Sequence, residues 1–195
     1  MRKIELAEVK NLYEYEKIRS EFRKQVIDEK KHRRIMVGPN MTFVFENRTT
    51  VLFQIQEMLR TERIVDDTAI QHEIDTYNNL LPGDQELSAT LLIEITAKHD
   101  IKPILDSLVG LGYQSVFLKI GEKEIPAQFD EAQSSEDRIS AVQYLLWKLE
   151  DEDIERMRLG AADVSLVVRH PNYNYTTPFT NEQRETIVKD LIASK

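Results

Sequence analysis

The sequence predicts an α+β protein, a largely antiparallel sheet packed by N-terminal helices and a C-terminal helix. Three observations predict it. Apolar residues recur at spacings of three and four through the first 80 residues, the period of an amphipathic helix. β-Branched, apolar runs separated by hairpin-length connections then fill the middle of the chain, which favours antiparallel pairing. Finally Thr180 and Gln183 stand in capping-box spacing before a last apolar stripe. The 195 residues are read as one domain, helix-rich over 1–82, strand-rich over 86–170 and closed by a helix over 180–193.

The elements follow in order. Leu12, Tyr15, Ile18, Phe22 and Val26 predict a long helix over 5–32, uninterrupted by Gly or Pro. Gly38-Pro39-Asn40 marks a turn, and 41–45 reads as a strand. Asn47 or Thr49 can cap a helix over 50–62 with the stripe Val51, Leu52, Ile55, Met58 and Leu59. Asp66-Asp67-Thr68 offers caps for a helix over 68–80, with Ile70, Ile74 and Tyr77 on one side, which Leu80-Leu81-Pro82-Gly83-Asp84 ends.

A strand over 88–96 comes next, then a short helix over 100–108 closed by Gly110 and Gly112. Strands over 114–120 and 124–129 flank the hairpin signal Gly121-Glu122-Lys123, and a polar loop covers 132–137. The stretch 139–149 is ambiguous. Ile139, Val142, Leu145, Leu146 and Leu149 suit a helix, with Ser134 and Asp137 in capping-box spacing. Yet 151–159, acidic at its start, basic near its end and closed by Gly160, makes the better helix, so strand then short helix is favoured for 139–159. A strand over 162–169 precedes a Tyr-rich loop, His170-Pro171-Asn172-Tyr173-Asn174-Tyr175. Ile187, Val188, Leu191 and Ile192 form the inner face of the last helix.

Composition narrows the function classes. Hydrophobic residues at 41% and charged residues at 31% fit a soluble protein, and no long apolar run exists to span a membrane. The first residues lack the apolar stretch of a signal peptide, which predicts a cytoplasmic location. The absence of cysteine excludes disulfides, iron–sulfur ligation by this chain and thiol chemistry. A net charge of −8 argues against nucleic acid as a partner. The one basic run, Lys30-Lys31-His32-Arg33-Arg34, reads as the end of the first helix, where cations meet the negative end of the dipole.

Neither a Gly-x-x-x-x-Gly-Lys nor a Gly-x-Gly-x-x-Gly loop occurs, and Gly-x-Ser-x-Gly is missing as well. A di-iron bundle takes two Glu-x-x-His pairs, whereas only Glu29 and His32 have that spacing. For a mononuclear site His170, His72, Glu46, Glu57 and Glu94 could supply ligands, but no paired ligand spacing supports one, so no metal is assigned and no cofactor is named.

What remains is the polar block between Phe43 and Arg60, where Glu46-Asn47-Arg48 and then Gln54, Gln56, Glu57 and Arg60 stand among core-forming residues. Such groups must be paired or hydrated. The candidate binding residues are Glu46, Arg48, Gln54, Glu57 and Arg60, with His170 at a strand end. Arg48 could fold back on Glu46 or bind an anion bidentately. Two readings stay open, a structural network fixing the helix on the sheet and a polar pocket.

Phe45-Glu46-Asn47-Arg48, the 53–60 stretch, Glu86-Leu87-Ser88-Ala89-Thr90-Leu91, Arg138-Ile139-Ser140-Ala141-Val142-Gln143-Tyr144 and His170-Pro171-Asn172-Tyr173 resemble a bacterial family, the domain-of-unknown-function family 3501. The opening Leu12-Tyr13-Glu14-Tyr15-Glu16-Lys17-Ile18-Arg19 is similar too, so the resemblance covers essentially the whole chain. The family brings no assigned activity. Its genes are often found near rubrerythrin-like and iron–sulfur proteins, which implies a redox or stress setting and a redox protein as partner. The expectation is a non-catalytic binding or accessory protein, homo-oligomeric through the long first helix. The alternative is a small-molecule or metal-binding enzyme or sensor.

Overall fold

Asn11 decides where the first helix begins. The computed structural model describes residues 1–97, 100–130, 134–135 and 138–193, and in it the Asn11 side chain accepts from the Glu14 amide, so that α1 runs Leu12–Lys30. Upstream, Leu6–Glu8 forms one 3₁₀ turn. The helix expected over 5–32 is therefore broken. The break is held by Gln56, which accepts from the Lys10 amide at 2.7 Å and donates to the Lys10 carbonyl at 3.0 Å. A continuous helix would take both backbone groups away from that amide.

The basic run also differs from expectation. Helix α1 ends at its first residue, Lys30, with Lys31 as the C-cap, and the rest of the run divides. Arg33 turns inward to 2% exposure, while Arg34 opens a strand, β1 (Arg34–Val37), that the sequence reading missed. Strand β1 pairs with β2 (Met41–Phe45) around Gly38, whose φ of +67° a side chain would strain. Asn47 caps α2 (Arg48–Glu62) in a reciprocal box with Thr50, two residues earlier than the helix start expected at 50. Asp66 caps α3 (Asp67–Asn78).

The remaining elements are β3 (Glu86–Ile93), α4 (Ile101–Ser107), β4 (Val116–Ile120), β5 (Lys123–Pro126), β6 (Gln128–Phe129), β7 (Ser134–Ser135), β8 (Arg138–Ile139), β9 (Val142–Lys148), α5 (Asp151–Arg158), β10 (Val164–His170), β11 (Tyr173–Pro178) and α6 (Asn181–Ala193). Strand then helix is what forms over 139–159. The loop expected over 132–137 lies mostly outside the described residues, though Ser134–Ser135 pairs with Arg138–Ile139. The Tyr-rich loop is in part a strand, because β11 pairs along β10 from His170↔Tyr173 to Ser165↔Pro178. Its Tyr173 hydroxyl donates to the Val37 carbonyl at 2.6 Å and accepts from the Asn40 amide at 2.9 Å, fastening it to the β1–β2 turn. The Thr180–Gln183 box caps α6 as expected. Ile192 faces solvent rather than the core, as does Ile18 on α1.

Among the described residues the strands form a five-stranded sheet of order β1-β2-β3-β9-β6, a four-stranded sheet of order β11-β10-β4-β5 and the β7-β8 pair, all antiparallel. The α+β class is as predicted, with the strands divided between sheets. One division falls at Ala127, within the strand expected over 124–129. The Ala127 amide still reaches Val116, but the Asp130 amide reaches Tyr144, so β5 joins β4 while β6 joins β9.

Alternation along each strand sorts the two faces of the larger sheet. Phe43, Phe45, Leu87, Leu91, Leu145 and Trp147 meet Val116, Leu118, Leu166 and Val168 of the second sheet, with Met157 of α5 and Ile187 of α6. Fully burying side chains of this size contributes about 1.5–3 kcal/mol each. Phe45 and Trp147 stack there with centroids 5.7 Å apart. On the opposite face Val51, Ile55, Leu59, Ile74 and Leu80 form a second cluster, against which Tyr144 packs. Among the described residues no helix is long and apolar enough to cross a membrane.

Candidate functional site

The chain turns from β2 into α2 through Glu46 and Asn47, and the turn is anchored by the Glu46 amide donating to the Ser88 carbonyl at 2.9 Å. Glu46 points to the helix-covered face of the larger sheet and is only 4% exposed. Its Oε1 accepts from the Thr90 hydroxyl at 2.5 Å. Its Oε2 accepts from Gln54 Nε2 at 3.0 Å and from the Thr50 hydroxyl. Burying a carboxylate is costly, and three hydrogen-bond donors offset part of that cost. All three are neutral, so the charge has hydrogen bonds but no counter-cation among them.

Glu46 forms part of the wall of a cleft of about 550 Å³ between the outer face of β3-β9-β6 and the end of α3. Ser88, Tyr144, Gln128, Asp130 and Asn79 are the other main polar groups at its wall, and Leu80, Phe129 and Leu146 supply apolar surface. None of its described lining residues is Lys, Arg or His. Ser88 donates to the Leu80 carbonyl at 2.6 Å, fastening the end of α3 to β3. Burial, then the charges of Glu46 and Asp130, push the Tyr144 hydroxyl above the ordinary phenol value, so it stays protonated and able to donate. Tyr77 is pushed the same way by burial, Tyr144 and Glu73.

The other sequence-predicted residues go elsewhere. Arg48 pairs with Glu8 and donates to the Arg2 carbonyl at 3.1 Å, so it binds down the N-terminal segment. Glu57 accepts from Arg19 Nε and Nη2, both at 2.8 Å, and from the Tyr15 hydroxyl at 2.7 Å. The Arg19 hydrogen bonds hold the Glu57 carboxyl below the ordinary range, while burial and Glu57 together raise the Tyr15 hydroxyl. Arg60 Nε donates to Glu16 at 2.8 Å. These residues brace α2 against α1 and the N-terminus.

His170 lies in the second sheet. Its Nε2 is 3.2 Å from the Val109 carbonyl and its Nδ1 accepts from the Asn172 amide at 3.3 Å. Of the six residues singled out from sequence, Glu46 and Gln54 are brought together, and only Glu46 lines the cleft. Thr90, Tyr144, Ser88 and Asp130 were missed. Ser88 and Thr90 carry a signal, as polar residues alternating with Leu87, Ala89 and Leu91 on one strand. Tyr144 is reached only through the register Thr90↔Tyr144. Among the described residues no three His, Asp or Glu side chains are grouped to hold a metal ion.

Fold and site together define an α+β protein of two main antiparallel sheets, with an acidic cleft between the larger sheet and its covering helices. The chain matches the family described as "Protein of unknown function (DUF3501)" over residues 3–191, and it belongs to that family. It is similar to a novel protein of unknown function from Burkholderia pseudomallei K96243, known from a crystal structure at 1.90 Å resolution. The two are 30% identical over 97% of this chain and 100% of that one, with a TM-score of 0.91. No curated protein matches it.

Proposed function

We propose that this protein is a non-catalytic binding protein of the bacterial cytoplasm that takes a small ligand in the Glu46 cleft. The observation carrying this reading is a buried carboxylate with no ion-pair partner among the described residues, at the wall of a cleft of about 550 Å³, within the size range of small-molecule sites. A non-catalytic role is supported by the hydroxyls beside it. Ser88 is spent on a carbonyl and Thr90 on Glu46, so neither is poised beside a free base. A redox or stress setting, with a redox protein as partner, rests on the family resemblance. Homo-oligomerisation through α1 is supported by Tyr13 and Ile27, two heptads apart on its exposed side.

The test compares the wild-type protein with Leu146→Trp, which fills the cleft from a partly buried wall position. In a thermal-shift screen of small metabolites, ligands should raise the wild-type Tm and lose that effect in the variant, whose circular dichroism stays unchanged. Native mass spectrometry of the same samples reads bound mass and stoichiometry. No hit for the wild type, or hits equally strong with the cleft filled, would overturn the proposal.

A further inference from the structure

We infer that the ligand of this cleft is a small organic cation, a primary amine or guanidine on a short carbon stem, held by the Glu46 carboxylate. The inference rests on the cleft being a binding site and names the chemistry that the site selects. A carboxylate offers about four lone-pair positions. Thr90, Thr50 and Gln54 occupy three, leaving the second position of Oε1 for a donor.

Charge decides what kind of donor fits. The wall carries the buried Glu46 carboxylate and, among its described lining residues, no Lys, Arg or His, so an anion is repelled and a cation drawn in. A neutral donor would fill the vacant position but leave the buried charge uncompensated. A bare metal ion fits poorly, since no three described carboxylate or imidazole groups converge on a point. An organic cation also uses the rest of the cleft. Leu80 and Leu146 provide apolar wall for a carbon stem, and Tyr144 and Phe129 place aromatic rings, which attract an ammonium or guanidinium, in the same lining. The protonated Tyr144 hydroxyl adds a polar group beside the same carboxylate.

The experiment is isothermal titration of the wild-type protein, Glu46→Gln and Gln128→Lys with agmatine, cadaverine, the neutral 1,5-pentanediol and the dianion glutarate. Gln128 is an exposed lining residue on the edge strand β6, so its replacement brings a positive charge to the cleft without disturbing the core and keeps the test decisive if Glu46→Gln fails to fold. Agmatine or cadaverine should bind the wild type, and each substitution should weaken that binding about tenfold or more, the loss expected for one charge-assisted hydrogen bond. The diol and glutarate should not bind. Equal or tighter binding of the diol or glutarate overturns the cationic class while leaving the cleft a binding site. Amine binding unchanged in the folded variants overturns the assignment to Glu46. If all four probes fail while the metabolite screen gives cleft-dependent hits, the cationic class is wrong. If the screen fails as well, the cleft is not a ligand site.

Discussion

Replacing Arg33 tests whether the buried ion network joins the helices to the sheet. Its guanidinium pairs with Asp190 of α6 through Nη1, donates from Nη2 to the same carboxylate at 3.1 Å, and donates from Nε to Glu29 of α1 at 2.7 Å. Glu29 also accepts from Asn47 Nδ2 at 2.8 Å, so the network reaches the cap of α2. Arg33→Ala takes the guanidinium away from two carboxylates, Asp190 and Glu29. Removing one partner of a buried pair costs about 3–5 kcal/mol. The Asp190 and Glu29 side chains keep 18% and 35% exposure, so water can partly rehydrate them and the lower end applies, about 3 kcal/mol.

At about 2–4 °C per kcal/mol for a chain of this length, the Tm should fall by about 6–12 °C. Calorimetry and urea unfolding at neutral pH read both quantities. The double variant Arg33→Met with Asp190→Leu also removes one of the two carboxylates that lose the guanidinium and should recover about half of the loss. A single variant within about 1 kcal/mol of wild type, or a double variant as unstable as the single, would refute the reasoning.

Two further outcomes follow from the pairings around the sheet. Hydrogen bonds from the Arg48 guanidinium, then from the Glu5 amide, hold the Glu8 carboxyl at about 2 against an ordinary 4.5. A depressed acid stabilises the fold fully above its unfolded value and loses that contribution as pH falls through the folded one. The stability gap between wild type and Glu8→Gln should therefore be constant above 4.5 and close towards about 2; a gap independent of pH across that window would count against the pairing. Tyr173→Phe removes the hydroxyl that accepts from the Asn40 and Met41 amides and donates to Val37. The Met41 amide and the Val37 carbonyl are the buried groups, each costing about 1–3 kcal/mol when left unpaired, so a loss of about 2–6 kcal/mol is expected, with faster hydrogen exchange at the two amides. Unchanged exchange there would show that the turn does not depend on Tyr173.

Features governed by residues three or four apart were legible from sequence. Asn47 and Asp66 are among the caps expected, the Thr180–Gln183 box opens α6, and the acidic-to-basic run closed by Gly160 is a helix after a strand. Strand β1 was not legible. Arg34-Ile35-Met36-Val37 is short and begins on the last residue of a basic run, and its extended form depends on pairing with β2. The break of the first helix is fixed by Gln56, 46 positions from Lys10. Of the site, the polar block around Glu46 was visible because charged groups among apolar ones stand out, but its members were read as one cluster. Arg48 pairs with Glu8 and Glu57 with Arg19, each about 40 positions away, and α2 projects them away from the cleft.

The sequence by itself determined the class of protein, the caps, most of the apolar faces and a set of polar groups in need of partners, since all of these are decided by neighbours within a turn of helix or a step of strand. Only the tertiary structure decided which partner each polar group found and which one was left facing a cleft. Thr90 and Tyr144 become neighbours of Glu46 through antiparallel register, and the burial that makes its charge consequential exists only once α2 and α3 cover the sheet.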